Sequence, residues 1–268
     1  MDYDITKYDR PSVAADIVVF TVRKGDSESY RHLSKPVLSV LLVRRTEWPF
    51  EDMPALPGGF CCREETIEET ALRKLREKTG VDCPPLSLLC NLSKQGRDPR
   101  GWIISCCYWT VIGHTNAALD KNAEWYEVSL KESDGAYTLI LTDDSGREFI
   151  SEVRLNNPNE LYNQSAEAEI PRNSLAFDHA EMIVNALLKL RSSLEKPYAA
   201  FRLLPERFTL TDLQQVYEAI LDKKLIMANF RRKIAPYVEE TDGIEGGAGH
   251  RPSKLFTRKA AAADSSPL

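Results

Sequence analysis

The chain reads as an α/β protein: a mixed sheet layered with helices, followed by a small winged helix-turn-helix. Three observations predict this. Up to residue 197, apolar and β-branched runs alternate with amphipathic helical segments. One of those helices carries a complete N-terminal signature just after the loop Pro57-Gly58-Gly59. From residue 198 the pattern changes to short helices, then a glycine-rich stretch and a basic segment. The chain has 268 residues, 43% of them hydrophobic, enough for one or two domains of ~100–200 residues and too apolar for wholesale disorder.

Residues 13–22 read as a buried strand, because Ile17, Val18, Val19 and Phe20 run together. A polar loop over 23–36 leads to a second strand at 37–43, ending in Arg44 and Arg45. Trp48-Pro49-Phe50 and Leu56-Pro57-Gly58-Gly59-Phe60 then interrupt regular structure, and paired glycines let a backbone approach something closely. The segment 66–78 reads as a helix: Thr66 with Glu69 is a capping box, Ile67, Ala71, Leu72 and Leu75 form an apolar face, and Gly80 lies past the end. Strands are expected at 86–92 and 102–112, the latter dense in aromatic and β-branched residues. Runs at 137–142 and 148–153 flank Asp143-Asp144-Ser145-Gly146, a hairpin signal. A polar loop over 156–174 follows the hairpin. A long amphipathic helix spans 178–194, and Pro197 closes it.

In the last section, 211–221 and 228–238 read as helices, the second with Phe230 and Ile234 inside and Arg231-Arg232-Lys233 outside. The glycine-rich stretch 243–249 leads to Arg251-Pro252-Ser253-Lys254-Leu255-Phe256. Two short helices and a hairpin with a basic tip describe a winged helix-turn-helix. The expected division is 1–197, 198–259 and a small polar tail, 260–268.

The net charge of −5 conceals an asymmetry: acidic residues outnumber basic ones in 1–197, and basic residues slightly outnumber acidic ones in 198–268. This suggests two modules with different partners. No run of 18 apolar residues exists and no signal peptide is visible, so a soluble cytoplasmic protein is expected. The cysteines at 61, 62, 83, 90, 106 and 107 form no Cys-x-x-Cys and read as buried thiols.

From Gly59, Glu65 lies six residues on, Arg73 fourteen, Leu75 sixteen and Glu77 eighteen, with Gly80-Val81 closing the segment. This resembles the Nudix box, G-x5-E-x7-R-E-U-x-E-E-x-G-U with U apolar, and the resemblance implies the Nudix α/β/α sandwich. The family places glutamates at the positions numbered 74, 77 and 78 here, on one helix face, where three carboxylates hold Mg²⁺ or Mn²⁺. This chain has Lys74, Glu77 and Lys78, so the formal charge of that face changes from −3 to +1. No metal site and no catalytic residue is expected from so degenerate a box; the two lysines would supply fixed positive charge to a pyrophosphate. An ordinary solvated helix face with a Glu69–Arg73 pair is the plainer reading of the same residues.

Other candidates for the ligand site are Arg44 and Arg45, whose guanidinium forks suit phosphate, and Trp48 and Phe50, whose rings suit a base. Loop packing is the alternative for the two aromatics. Gly58 and Gly59 belong to the approaching loop. Arg97-Asp98-Pro99-Arg100-Gly101-Trp102 is similar to a segment of Nudix proteins that act on ADP-ribose, which makes Arg97 and Arg100 candidates; surface salt bridges are the alternative. In the family the segment Leu175-Ala176-Phe177-Asp178-His179 lies near the ligand, so Asp178 is added, without a catalytic role for His179.

Taken together, these motifs and the C-terminal segment resemble the Nudix-related transcriptional regulators of the NrtR type, over nearly all of residues 10–259 apart from the hairpin region 131–174, which looks like an insertion, and the terminal tail. The resemblance implies a cytoplasmic dimeric repressor of NAD-metabolism or sugar-utilisation genes, released from a DNA operator by ADP-ribose. Asn229, Arg231, Arg232 and Lys233 would then face the major groove, and Arg251 and Lys254 would sit on the wing. The acidic run Glu239-Glu240-Thr241-Asp242 beside them would repel phosphate if it faced DNA. Two alternatives stay open: a Mg²⁺-dependent ADP-ribose pyrophosphatase in which Glu65, Glu69 and Glu77 rebuild a metal site, and an inactive module whose winged helix binds protein.

Overall fold

A computed structural model describes residues 4–24, 35–82, 86–113, 119–155, 173–245 and 253–259. The sheet is built around β1 (Ser12–Lys24) and β6 (Ile103–Val111), which run parallel with Ile17 opposite Tyr108. Outward from this pair lie β5 (Ser87–Leu92) on one side, and on the other β2 (Pro36–Arg44), β7 (Ala123–Ser133), β8 (Ala136–Thr142) and β9 (Glu148–Arg154), all antiparallel to their neighbours. Two short strands, β3 (Pro54–Ala55) and β4 (Gly58–Phe60), pair with β2 and β1.

The unbroken apolar run in β1 has a simple cause: both faces of the strand are covered. Ile17 and Val19 pack with Ala71 and Leu75 of α1 (Ile67–Thr79). Val18 and Phe20 point the other way, into the core with Met182, Ile183 and Leu187 of α2 (His179–Ser193). The result is the expected α/β/α sandwich. Helix α1 begins with the expected capping box, Thr66 and Glu69 each bonding the other's backbone, and ends at Gly80, whose φ of 73° favours glycine. Its inner face differs from the expectation. Leu72 is exposed, while Thr70 and Thr79 are buried, their hydroxyls donating to the carbonyls of Thr66 and Leu75. Threonine can turn inward on a helix because the backbone four residues back accepts its proton.

Strand β7 is absent from the sequence reading, although Tyr126, Val128 and Leu130 alternate with Glu127, Ser129 and Lys131 as in a half-buried strand. The insertion expected from residue 131 thus begins inside a strand, and β7, β8 and β9 extend the sheet as a meander. Most of the polar loop expected at 156–174 lies outside the described residues.

Past α2, the short helix α3 (Tyr198–Arg202), also unexpected, leads to α4 (Leu210–Leu221), α5 (Met227–Ile234) and the hairpin of β10 (Val238–Glu245) and β11 (Ser253–Arg258). Helix α5 stops at Ile234 rather than 238, because Pro236 follows within a 3-10 turn and lacks the N–H that would continue the helix. Helix α4 carries a second capping box, Thr209 with Asp212. The winged helix shares its core with the sheet: Phe201, Phe208, Leu213, Ile220, Phe230 and Ile234 belong to the same buried cluster as Val18 and Leu187. Among the described residues, no helix is long and apolar enough to cross a membrane.

Candidate functional site

Gly58 and Gly59 bring the loop before α1 onto the sheet. A Cβ on Gly58 would lie 2.2 Å from Asp16 Oδ1 and 2.4 Å from the Ala15 carbonyl, so no side chain fits there. Gly59 lies against the aliphatic stem of Lys74. The carboxylates of the box are all engaged. Glu65 is clamped by the Arg73 guanidinium and accepts the Cys62 N–H at 2.8 Å, which holds its carboxyl far below the usual carboxylate range. Glu77 bonds Lys74 at 2.8 Å and Arg73 at 3.2 Å, and its carboxyl is lowered too. Glu69 closes the capping box at 2.7 Å. The simple Glu69–Arg73 pair of the sequence reading is therefore replaced by Glu65–Arg73–Glu77.

Helical spacing predicts Lys74, Glu77 and Lys78 on one face, and the geometry agrees for Lys74 and Glu77. Lys78 turns inward. Burial lowers its pKa, as do the positive charges of Arg45, Lys74 and Arg100, while Asp16 opposes the shift. These residues do not fit a divalent cation: Glu65 and Glu77 each already face a cationic partner, Glu69 closes the helix cap, and two ammonium groups occupy the positions where further oxygen ligands would be needed.

The positive cluster continues around Phe177. The Arg45 guanidinium lies 4.9 Å from its centroid, and Arg100 lies 5.2 Å from Phe177 and 4.9 Å from Phe60. The Phe50 ring meets Phe177 edge-on at 4.8 Å. Phe50 and Phe177 both have positive φ, 61° and 54°, an uncommon backbone for bulky residues and one found at ligand clamps. Arg45 is fixed by the carbonyls of Pro49 and Glu47, and Arg100 by Asp98 at 2.7 Å.

Beneath this cluster, His179 is buried. Its Nδ1 accepts the Leu56 N–H at 2.9 Å, leaving Nε2 3.7 Å from Asp16 Oδ1. Burial pushes the His179 pKa down to about 3, so the ring is neutral. Burial raises the Asp16 carboxyl, which accepts the Ser105 hydroxyl.

The remaining expected ligand residues divide. The Arg97 side chain is buried and makes a bidentate pair with Asp178 at 2.6 and 2.7 Å, so these two bind each other at the start of α2. Arg44 is exposed and pairs with Asp52 at 3.1 Å, and Trp48 is exposed. The sequence reading missed Asp16, Phe60 and Phe177. The signal for Phe177 was its place beside Asp178 in the segment 175–179; for Asp16 it was a lone carboxylate in an apolar strand. The cysteines are not uniformly buried either: Cys90 and Cys107 are, Cys62 is exposed, and Cys83 lies outside the described residues.

On the winged helix, Phe230 and Ile234 of α5 turn into the core, leaving Asn229, Arg231 and Arg232 exposed, with Arg232 bonded to Asn229 at 2.9 Å. Lys233 is exposed as well, and its ammonium reaches back to the Leu194 carbonyl at 3.1 Å, 5.6 Å from the Tyr217 ring centroid. The acidic run falls in β10, where Glu240 is neutralised by Lys254 of β11 at 2.7 Å. Arg251 lies outside the described residues. The turn between α4 and α5 is organised by Glu218, whose carboxylate accepts from Gln214, Lys224 and the Leu225 N–H.

This arrangement is that of a Nudix domain joined to a winged helix. The NUDIX domain family model matches residues 31–171, and the model of the NrtR DNA-binding winged helix domain matches residues 200–257. The chain belongs to the Nudix family, in the NrtR-type branch that carries this second domain. It is 30% identical over 258 residues to the ADPR responsive transcriptional repressor NtrR of Acinetobacter baylyi, covering 95% of this chain and 84% of that one. A MutT/nudix family protein from Enterococcus faecalis superposes with a TM-score of 0.70 at 26% identity, covering 96% of this chain and 90% of that one. Shewanella oneidensis NrtR complexed with a 27mer DNA superposes with a TM-score of 0.59 at 26% identity, covering 94% and 95%.

Proposed function

We propose that this chain is an ADP-ribose-responsive transcriptional repressor that binds a palindromic DNA operator as a homodimer. Residues 1–197 form the sensing unit, 198–259 the DNA-binding unit, and 260–268 a tail. The regulated genes are those of NAD or sugar metabolism, a reading that rests on the family resemblance. The observation that carries the function is the exchange of chemistry on α1. Where a hydrolase needs carboxylates for metal, this chain has Lys74 and the half-buried Lys78, beside Arg45, Arg100 and the Phe177 ring. Fixed cations beside aromatic faces suit a pyrophosphate flanked by a base and riboses. They bind such a ligand without activating water. At the other end of the molecule, α5 presents Arg231 and Arg232 to solvent, as a recognition helix does.

A single titration tests this. The purified chain is mixed with ADP-ribose and Mg²⁺, and heat of binding and AMP release are both followed. Saturable heat without AMP is expected; AMP release at enzymatic rates would replace the sensor with a hydrolase. A parallel measurement follows binding to duplex DNA with salt. Several neutralised phosphates give a log–log slope of ~−0.9 per contact, whereas a flat response would assign the winged helix to a protein partner.

A further inference from the structure

Helix α5 has a feature that phosphate binding does not use. Its leading end is apolar and exposed: Ile226, the residue before the helix, is 71% exposed, Met227 is 36% exposed, and Ala228 follows, also exposed. Asn229 comes next, then Arg231 and Arg232, and the helix has no acidic residue. Large apolar side chains at the tip of a basic helix gain nothing from water or from phosphate. The major groove offers them one apolar partner, the C5-methyl of thymine. An asparagine on the same turn matches the adjacent feature, since its amide can bond N6 and N7 of adenine. The residues nearest the start of a recognition helix are the ones that reach base edges.

We propose that Ile226 and Met227 are specificity-determining residues that contact thymine methyl groups, so that the operator half-site carries A·T pairs where α5 enters the groove. The inference rests on the DNA-binding reading above. The partner is nucleic acid rather than an apolar protein surface because the flanking exposed residues, Asn229, Arg231 and Arg232, supply cations and an amide and no carboxylate.

The test uses the full chain. Bound duplexes are selected from a random-sequence pool, and each thymine of the enriched half-site is then replaced by uracil, which deletes only the methyl group. Binding of wild type is expected to weaken about three- to fivefold at one or two thymines, the scale of one buried methyl. Ile226→Ala and Met227→Ala are expected to bind thymine and uracil duplexes equally at those positions. Both sites are exposed, and unchanged melting temperatures check the fold. Arg231→Ala serves as the contrast: it weakens both duplexes alike and makes the salt dependence shallower. Equal affinity of wild type for thymine and uracil at every position overturns the inference while leaving DNA binding intact, as does discrimination that survives both alanine variants. Failure of wild type to bind any duplex overturns both readings together.

Discussion

Lys78 stands where the family has a carboxylate, and its surroundings explain why it stays. The ammonium is half-buried near Asp16, with Arg45, Lys74 and Arg100 also in electrostatic range. An anionic ligand would relieve that accumulation of positive charge. The double variant Lys74→Glu, Lys78→Glu should therefore reverse the preference. ADP-ribose affinity without metal is expected to fall at least tenfold, and Mg²⁺ binding to appear by calorimetry; no gain in Mg²⁺ affinity would show that the lysines do not substitute for metal. A second residue-scale prediction concerns His179. Its folded pKa of about 3 lies below the unfolded value near 6.5. Its contribution to stability is complete above pH 6.5. As pH falls from there toward 3, the unfolded chain binds a proton that the folded chain does not, and stability is lost at ~1.4 kcal/mol per pH unit. His179→Gln, which can still accept the Leu56 N–H, should remove this slope. In urea unfolding at pH 7.5 and pH 5.0, wild type should lose about 2 kcal/mol more than the variant. Equal losses would mean that the ring is protonated in the folded protein.

At the scale of elements, legibility followed local chemistry. Helix α1 was readable because Thr66, Glu69 and Gly80 are local signals that need no tertiary context. Strand β1 was readable because burial on both faces leaves an unbroken apolar run. Strand β7 was not read, although Tyr126, Val128 and Leu130 alternate with polar residues, because only this short stretch alternates and its pairing with β2 is long-range. The site was legible to the same extent. Lys74 and Lys78 stood out against a fixed spacing, whereas Phe177 and Asp16 acquire their meaning from contacts that join distant segments. Arg97 and Asp178 were found singly as ligand candidates, and their mutual pairing could not be read from residues 81 apart in the chain. Glu218 is a case where an element depends on one such side chain. Its carboxylate, lowered to about 2 despite burial by its bonds to Gln214 and Lys224, fixes the α4–α5 turn and hence the direction of α5. Glu218→Ala leaves the buried Gln214 amide and the Leu225 N–H without this acceptor. A loss of about 1–3 kcal/mol in stability is expected, together with weaker DNA binding. DNA affinity unchanged in the variant would mean that the turn is held by the core alone.

The whole molecule is joined by α2. Its first residues lie in the ligand cluster: Asp178 bonds Arg97, and His179 bonds the loop at Leu56. Its last turn and C-cap lie against the winged helix: Arg191 donates to the Ile220 carbonyl at 2.9 Å, and the Leu194 carbonyl accepts from Lys233 at 3.1 Å and from the Tyr217 hydroxyl at 3.4 Å. Fifteen residues span about 22 Å, so a shift at Phe177 can be carried to α5 by rigid movement of one helix. A ligand weakens DNA binding only through a difference in its affinity for two arrangements, a coupling of typically ~1–3 kcal/mol. Through its bond to the Leu194 carbonyl, Lys233 would be the contact that passes that difference to the recognition helix. Lys233→Ala should leave ADP-ribose affinity unchanged and reduce at least threefold the factor by which ADP-ribose lowers DNA affinity. The salt dependence of DNA binding decides between the two roles. A phosphate contact at Lys233 would lower the log–log slope by ~0.9 and spare the ligand response, whereas a contact to the Leu194 carbonyl leaves the slope intact and blunts the response.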